Sequence, residues 1–133
     1  MILLDTNICI YIINAKPPEV LARFRQYHLG EVGLCSVVAA ELAYGVAKSG
    51  SARNRAALEM FLAPLDILPF DAKAVWAYGA LRANLGRQGQ PIGALDTMIA
   101  AHALSLDAPL VTHNNREFER VPGMRLENWV QPP

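Results

Sequence analysis

Short apolar runs alternate with longer stretches of helical periodicity from one end of the chain to the other. Ile2, Leu3 and Leu4 form an apolar run that stops at a carboxylate, Asp5. This reads as a buried strand, with Asp5-Thr6-Asn7 supplying capping side chains for a helix through about Ile13. Residues 19–28 place Val20, Leu21, Phe24 and Tyr27 at helical spacing and predict an amphipathic helix ended by Gly30. A second strand is predicted over 32–35, followed by Ser36 as N-cap of an Ala- and Leu-rich helix over 37–48. Further helices are predicted over 52–62, 72–85 and 94–106, strands over 66–70 and 110–112, one helical turn over 117–120 and an edge strand over 125–129. The segment GRQGQPIG, residues 86–93, has three glycines and a proline and reads as a loop. Strands separated by helices, with no tight hairpins, predict an α/β fold: a central parallel sheet flanked by helices on both faces. Ligands of such sheets gather beyond the carboxyl ends of the strands, where Asp5, Ser36 and Thr112 are expected.

Composition narrows the choice of partners. A chain of 133 residues, 53% hydrophobic, is expected to build one core and hence a single domain over 1–133. Twelve Lys and Arg balance twelve Asp and Glu, so binding of nucleic acid must rest on a local arrangement of charge and not on an overall field. The apolar runs are too short and broken to span a bilayer, and the first residues lack a signal peptide's basic start and cleavage site; a soluble cytoplasmic protein is expected, with no membrane partner. Cys9 and Cys35 lie in apolar surroundings and read as reduced, packed thiols. His28, His102 and His113 form no metal-ligand pattern, and His102 reads as a core residue. Gly86, Gly89 and Gly93 follow a helix, where phosphate-cradling glycine motifs must follow a strand.

The most informative acids are those without company. Asp5 is the only charged side chain between Met1 and Ala15, Glu41 the only one between Val37 and Ala47, and Asp96 the only acid between Gln88 and Leu106. None has a Lys or Arg within helical reach. Each has an ordinary explanation: Asp5 caps a helix, Asp96 sits in a first turn where the helix dipole favours negative charge, and Glu41 occupies a solvated face. The last is the weakest, because Glu41 is flanked by Ala39, Ala40, Leu42 and Ala43. An isolated carboxylate in apolar surroundings costs several kcal/mol, roughly, unless it protonates or meets a cation. Convergence of the three acids explains them together, since such a hard, negative pocket suits Mg²⁺ or Mn²⁺.

LLDTNICI around Asp5, SVVAAELAYG around Glu41, PIGALDTMIAAHA around Asp96 and LVTHNNREFERVPGMRLENW near the end resemble, in this order and over essentially the whole chain, the PIN-domain ribonucleases of VapC type. These are toxin components of bacterial and archaeal toxin–antitoxin pairs. The resemblance implies a PIN-like central parallel sheet flanked by helices. It also implies Mg²⁺- or Mn²⁺-dependent hydrolysis of RNA phosphodiesters to a 3′-hydroxyl and a 5′-phosphate. Asp5, Glu41 and Asp96 match the family's metal-binding acids. Many relatives have a fourth acid, Asp, two residues after the Thr of the final strand, where this chain has Asn114; Glu117 is the substitute, or else a surface glutamate beside Arg116 and Arg120. Thr6, Asn7, Ser36, Thr112 and Asn114 resemble the small polar residues that support the acids. The implied partners are an RNA substrate, a VapB-like antitoxin that fills the active-site groove and alone contacts operator DNA, and a second copy of the chain in a homodimer.

Phosphate contacts need cations that the acids do not supply. Arg82, Arg87 and Arg116 are the first candidates, with Lys48, Arg53, Arg55 and Arg120 near other predicted element ends. Two other functions compete. One is a PIN domain that binds RNA or protein without cutting, its acidic set left incomplete by Asn114. The other is a phosphatase of the haloacid dehalogenase type; those enzymes want a second acid two residues after the first, where this chain has Asn7.

Overall fold

The computed structural model describes residues 1–131 and contains one five-stranded, all-parallel sheet. Its elements in chain order are β1 (Ile2–Leu4), α1 (Thr6–Asn14), α2 (Pro18–Phe24), β2 (Val32–Cys35), α3 (Ser36–Ser49), α4 (Ala52–Leu62), β3 (Asp66–Leu68), α5 (Ala72–Arg87), α6 (Ala94–Ser105), β4 (Leu110–Val111), α7 (Asn115–Phe118) and β5 (Leu126–Glu127). Laterally the strands run β3-β2-β1-β4-β5. The chain first moves from β1 to β2 and β3 on one side, then returns to β4 and β5 on the other, so the crevice between β1 and β4 is where the winding reverses. Parallel strands carry all their carboxyl ends to one edge, and a reversal leaves the following loops splayed apart there. Asp5 leaves β1 and Thr112 leaves β4 at that crevice, their strands paired through Leu3 with Leu110 and Leu4 with Val111.

Burial explains the strand sequences. β1 and β2 are buried throughout, as expected for strands covered on both faces, and read as continuous apolar runs instead of alternating ones. Leu3, Leu4, Leu34, Leu110 and Val111 are fully buried with Ile8 of α1, Val38 of α3, Leu85 of α5, Ile99 of α6 and Phe118 of α7. Gly33 is required by close approach: a Cβ there would stand 3.2 Å from the Asp66 carbonyl of β3 and 2.8 Å from the Met1 sulfur.

Several predicted boundaries move, each for a tertiary reason. Ser36 is not the N-cap of its helix. β2 runs into α3 without a loop, Cys35 takes the extended cap conformation, and the Ser36 hydroxyl instead accepts the Phe70 N–H at 3.0 Å, which stitches the end of β2 to the β3–α5 connection. The helix predicted over 19–28 stops at Phe24, and Tyr27 turns away to stack on Trp129 with ring centroids 5.5 Å apart. The strand predicted over 125–129 shrinks to two residues because Trp129 dives into the core. The strand predicted over 66–70 ends at Leu68, and Phe70 meets the edge of His102 at 5.5 Å. α5 runs through Gly86 to Arg87, and α7 occupies 115–118 instead of 117–120. His102 is 1% exposed, and its burial holds the imidazole below its usual pKa range, in keeping with a core residue. Cys9 and Cys35 are buried free thiols. Among the described residues, no helix is long and apolar enough to cross a membrane.

Phe118 is the largest fully buried side chain and lies directly after Glu117. Phe118→Ala is expected to lower unfolding free energy by about 4 kcal/mol, measured as a fall in the urea midpoint at unchanged slope.

Candidate active site

The sheet's carboxyl edge collects the acids that had no local partner. Asp5 follows β1 and is 4% exposed. Both of its oxygens are occupied: the Thr6 N–H donates to Oδ1 at 2.8 Å, as a helix cap, and the Thr112 hydroxyl donates to Oδ2 at 2.7 Å. Asp5 therefore caps α1 through one oxygen and meets β4 through the other. Thr6 also donates its hydroxyl to Glu41 Oε1 at 2.8 Å, joining the first turn of α1 to a residue one and a half turns into α3. Thr112 accepts the Asn114 N–H at 2.9 Å, and the Asn114 side-chain amide donates to Asp96 Oδ2 at 3.4 Å and Glu117 Oε2 at 3.2 Å. Glu117 also lies near Asp96 and the Gly93 backbone N–H at the start of α6, and both favour its charged form. Asp5, Thr6, Glu41, Asp96, Thr112, Asn114 and Glu117 are thus linked by contacts between residues up to 107 positions apart.

Electrostatics identifies what is missing. Burial lifts the Asp96 carboxyl to about 8, helped by contact with Glu117 and by the charges of Asp5, Glu117 and Glu41. Burial also raises Asp5, against the donors Thr112 and Thr6, and the charges of Glu41 and Glu117 push the same way. Glu117 moves down because Asp96 donates to it, with Asn114, Gly93 and the positive charge of Arg120 adding to the effect. One proton shared between Asp96 and Glu117 is the local remedy for crowded negative charge. Among the described residues the ion pairs are Arg23–Glu127, Arg55–Glu59 and Arg125–Asp107, none of which involves these acids. Nor, among the described residues, do any three His, Cys, Asp or Glu side chains stand close enough together to hold a metal ion as they are placed. The set consists of hard oxygen donors short of positive charge, and its chemistry fits a divalent ion of the Mg²⁺ or Mn²⁺ kind.

Other expected residues stand apart. Ser36 is committed to Phe70 and touches none of the acids. Asn7 lies in the first turn of α1 with its Oδ1 buried and unpartnered among the described residues. Arg82 is held by the Tyr78 hydroxyl at 2.8 Å and lines a small hollow with Pro91, Ile92 and Thr97, beside the loop that leads to Asp96. Arg87 and Arg116 are exposed. Arg55 is paired with Glu59, and Arg120 donates to the Pro91 carbonyl at 2.9 Å, so Arg120 ties the end of α7 to that same loop. The sequence placed Arg120 among phosphate contacts and beside Glu117, and carries no local signal for its bond to Pro91, 29 positions away. A groove of about 630 Å³ between α1, α3 and α4 reaches Glu41, with Ile10, Ile13, Leu42, Val46 and Arg53 among its lining residues.

Known proteins share this arrangement's sequence and fold. Residues 2–124 match the PIN domain family model. The chain is 48% identical to the tRNA(fMet)-specific endonuclease VapC of Shigella flexneri over 96% of both chains, and 47% identical to ribonuclease VapC2 of Haemophilus influenzae over 96% of this chain and 97% of that one. Among solved structures it resembles VapBC2 from Rickettsia felis bound to a DNA fragment from its promoter, with a TM-score of 0.91, 42% identity, and coverage of 98% of this chain and 100% of the other. The chain belongs to the PIN-domain family and, within it, to the VapC ribonucleases.

Proposed function

We propose that this protein is the toxin of a VapBC-type pair, an endoribonuclease that hydrolyses RNA phosphodiesters in the cytoplasm with Mg²⁺ or Mn²⁺ held by Asp5, Glu41 and Asp96 and completed by Glu117. The observation that carries this reading is the hydrogen-bonded linkage of Asp5, Glu41, Asp96 and Glu117 around the β1–β4 crevice, where none of the four takes part in an ion pair among the described residues. When bound, the ion would supply positive charge that activates a water and offsets the negative charge building on the phosphate oxygens. Thr112 and the Thr6 N–H hold the Asp5 carboxylate in one orientation, and the Thr6 hydroxyl does the same for Glu41. The attacking water forms a bond to phosphorus while the bond to the 3′ oxygen breaks, leaving a 3′-hydroxyl and a 5′-phosphate. Arg82, Arg87 and Arg116 are offered as contacts to flanking phosphates, where they would steer and register the strand without touching the scissile bond. Initiator tRNA is the first substrate to test, since the Shigella relative is specific for it.

The groove beside Glu41 supports the antitoxin reading: its largely apolar walls, with Asn14, Arg53 and Asn54 among them, end at Glu41, so a VapB-like segment lying there would cover that acid while operator DNA is contacted by the antitoxin alone. Self-association is assigned to the outer face of α5, where Trp76 is 79% exposed beside Val75.

Asp5→Ala is expected to lower RNA cleavage at least ~100-fold with the circular dichroism spectrum unchanged, and EDTA to abolish cleavage by the unsubstituted chain until Mg²⁺ or Mn²⁺ is restored. Cleavage that survives both treatments contradicts the assignment.

Stability should run against activity. The folded state raises the pKa values of Asp96 and Asp5, so it binds protons that the unfolded chain releases, and the metal-free protein loses stability as pH climbs from about 4 toward 8. Asp96→Asn should flatten that slope and raise the metal-free Tm at pH 8 by ~4 °C, corresponding to about 1 kcal/mol at a half-exposed site. Thermal scans in EDTA across the pH series measure it.

Ile10→Asp, which places a charge on the groove wall, should weaken capture by a co-expressed VapB-like antitoxin at least ~10-fold while leaving RNA cleavage in place. Co-purification yields and cleavage assays on the same preparations report the two effects separately.

A further inference from the structure

Resting on the metal-nuclease reading, we infer that Asn114 is a positioning residue, which sets Asp96 and Glu117 against each other through its side-chain amide and does not itself ligate the ion. An asparagine side chain has an NH₂ end that donates and an oxygen end that accepts, whereas ionised carboxylates only accept. Its neighbours are Asp96 Oδ2 at 3.4 Å and Glu117 Oε2 at 3.2 Å; Glu117, the nearer, is the acid that stays ionised, so the NH₂ end faces it and reaches Asp96 from the same side. The opposite orientation would crowd three oxygens together. The amide oxygen, the only atom of this side chain able to bind a cation, is thereby turned away from the acids.

The residue is fixed from behind as well. Its backbone N–H donates to the Thr112 hydroxyl, which in turn donates to Asp5, so one residue connects by hydrogen bonds to Asp5, Asp96 and Glu117. Asn114 is the N-cap residue of α7 and Glu117 lies three positions on, a spacing that brings the two side chains to one side of the turn. In this chain the carboxylate sits three residues after the asparagine, whose amide donates to it. The pair Asn114 and Glu117 therefore forms one unit in which the amide and the carboxylate have defined partners.

An exchange tests the unit, read by Mn²⁺ binding in the full chain, followed by electron paramagnetic resonance and water-proton relaxation up to millimolar Mn²⁺, with circular dichroism confirming each fold. Asn114→Ala and Glu117→Gln should each weaken Mn²⁺ binding roughly tenfold. Exchanging the roles, with Asn114→Asp and Glu117→Gln together, lets the amide and carboxylate trade places and should bring affinity back to within about threefold of the unsubstituted chain. Asn114→Asp with Glu117→Ala supplies the acid but no donor and should stay at least about fivefold weaker than the exchanged pair. The inference is overturned if Asn114→Ala binds Mn²⁺ as well as the unsubstituted chain, if the exchanged pair binds no better than Glu117→Gln alone, or if the Ala-containing pair recovers equally. Absence of Mn²⁺ binding by the unsubstituted chain overturns it together with the metal reading. The expected binding pattern without RNA cleavage leaves the positioning role standing and removes only the nuclease assignment.

Discussion

Like charges gathered in a poorly hydrated place repel one another and resist leaving water, and the active-site end of this fold is built around containing that conflict. Asp5 is almost wholly buried, Asp96 partly so, and Glu41 and Glu117 add their charges to both. The local donors are neutral: two threonine hydroxyls, one asparagine amide and the N–H group at the start of α1. Neutral donors hold carboxylates in place without cancelling their charge, so the strain of crowded acids stays in the fold. On the metal reading proposed above, stability and function pull in opposite directions here.

The topology makes the gathering possible. Parallel strands deliver their carboxyl ends to one edge, and the reversal of winding between β1 and β4 opens the crevice in which Asp5 and Thr112 meet. Helix starts point their N–H groups at the same edge. Asp5 uses that of α1, and the start of α6 favours the charged form of Glu117, although Glu117 belongs to neither helix. Arg120 extends the same principle to the loop before α6, because its bond to the Pro91 carbonyl keeps α7 and the Asp96 helix in register. Three segments distant in sequence thus act as one rigid frame, and Phe118, buried beneath α7, anchors that frame to the core.

The groove along α1, α3 and α4 joins this frame at Glu41. A largely apolar channel ending at a negative pocket is suited to a ligand with an apolar body and a cationic end. The two proposed occupants, an antitoxin segment and an RNA strand bound through an ion, would compete for the pocket while using different surfaces around it.

The linear chain by itself determined the strand and helix order, because buried parallel strands are uninterrupted apolar runs and the helices between them carry a 3.6-residue period. It also singled out Asp5, Glu41 and Asp96, since an acid without a nearby cation stands out in any listing of neighbours. Tertiary structure alone decided the rest. Ser36 left its expected cap to hold Phe70, Tyr27 left its helix for Trp129, and Arg120 acquired a bonding partner 29 residues away. The roles of Glu117 and Asn114 were open for the same reason. Both are ordinary polar residues in a charged stretch, and only the arrival of α6 beside α7 gives one a carboxylate neighbour and the other something to donate to. Periodicity reports which side of an element faces the core, whereas hydrogen bonds between segments depend on ångström-scale distances that no local pattern encodes.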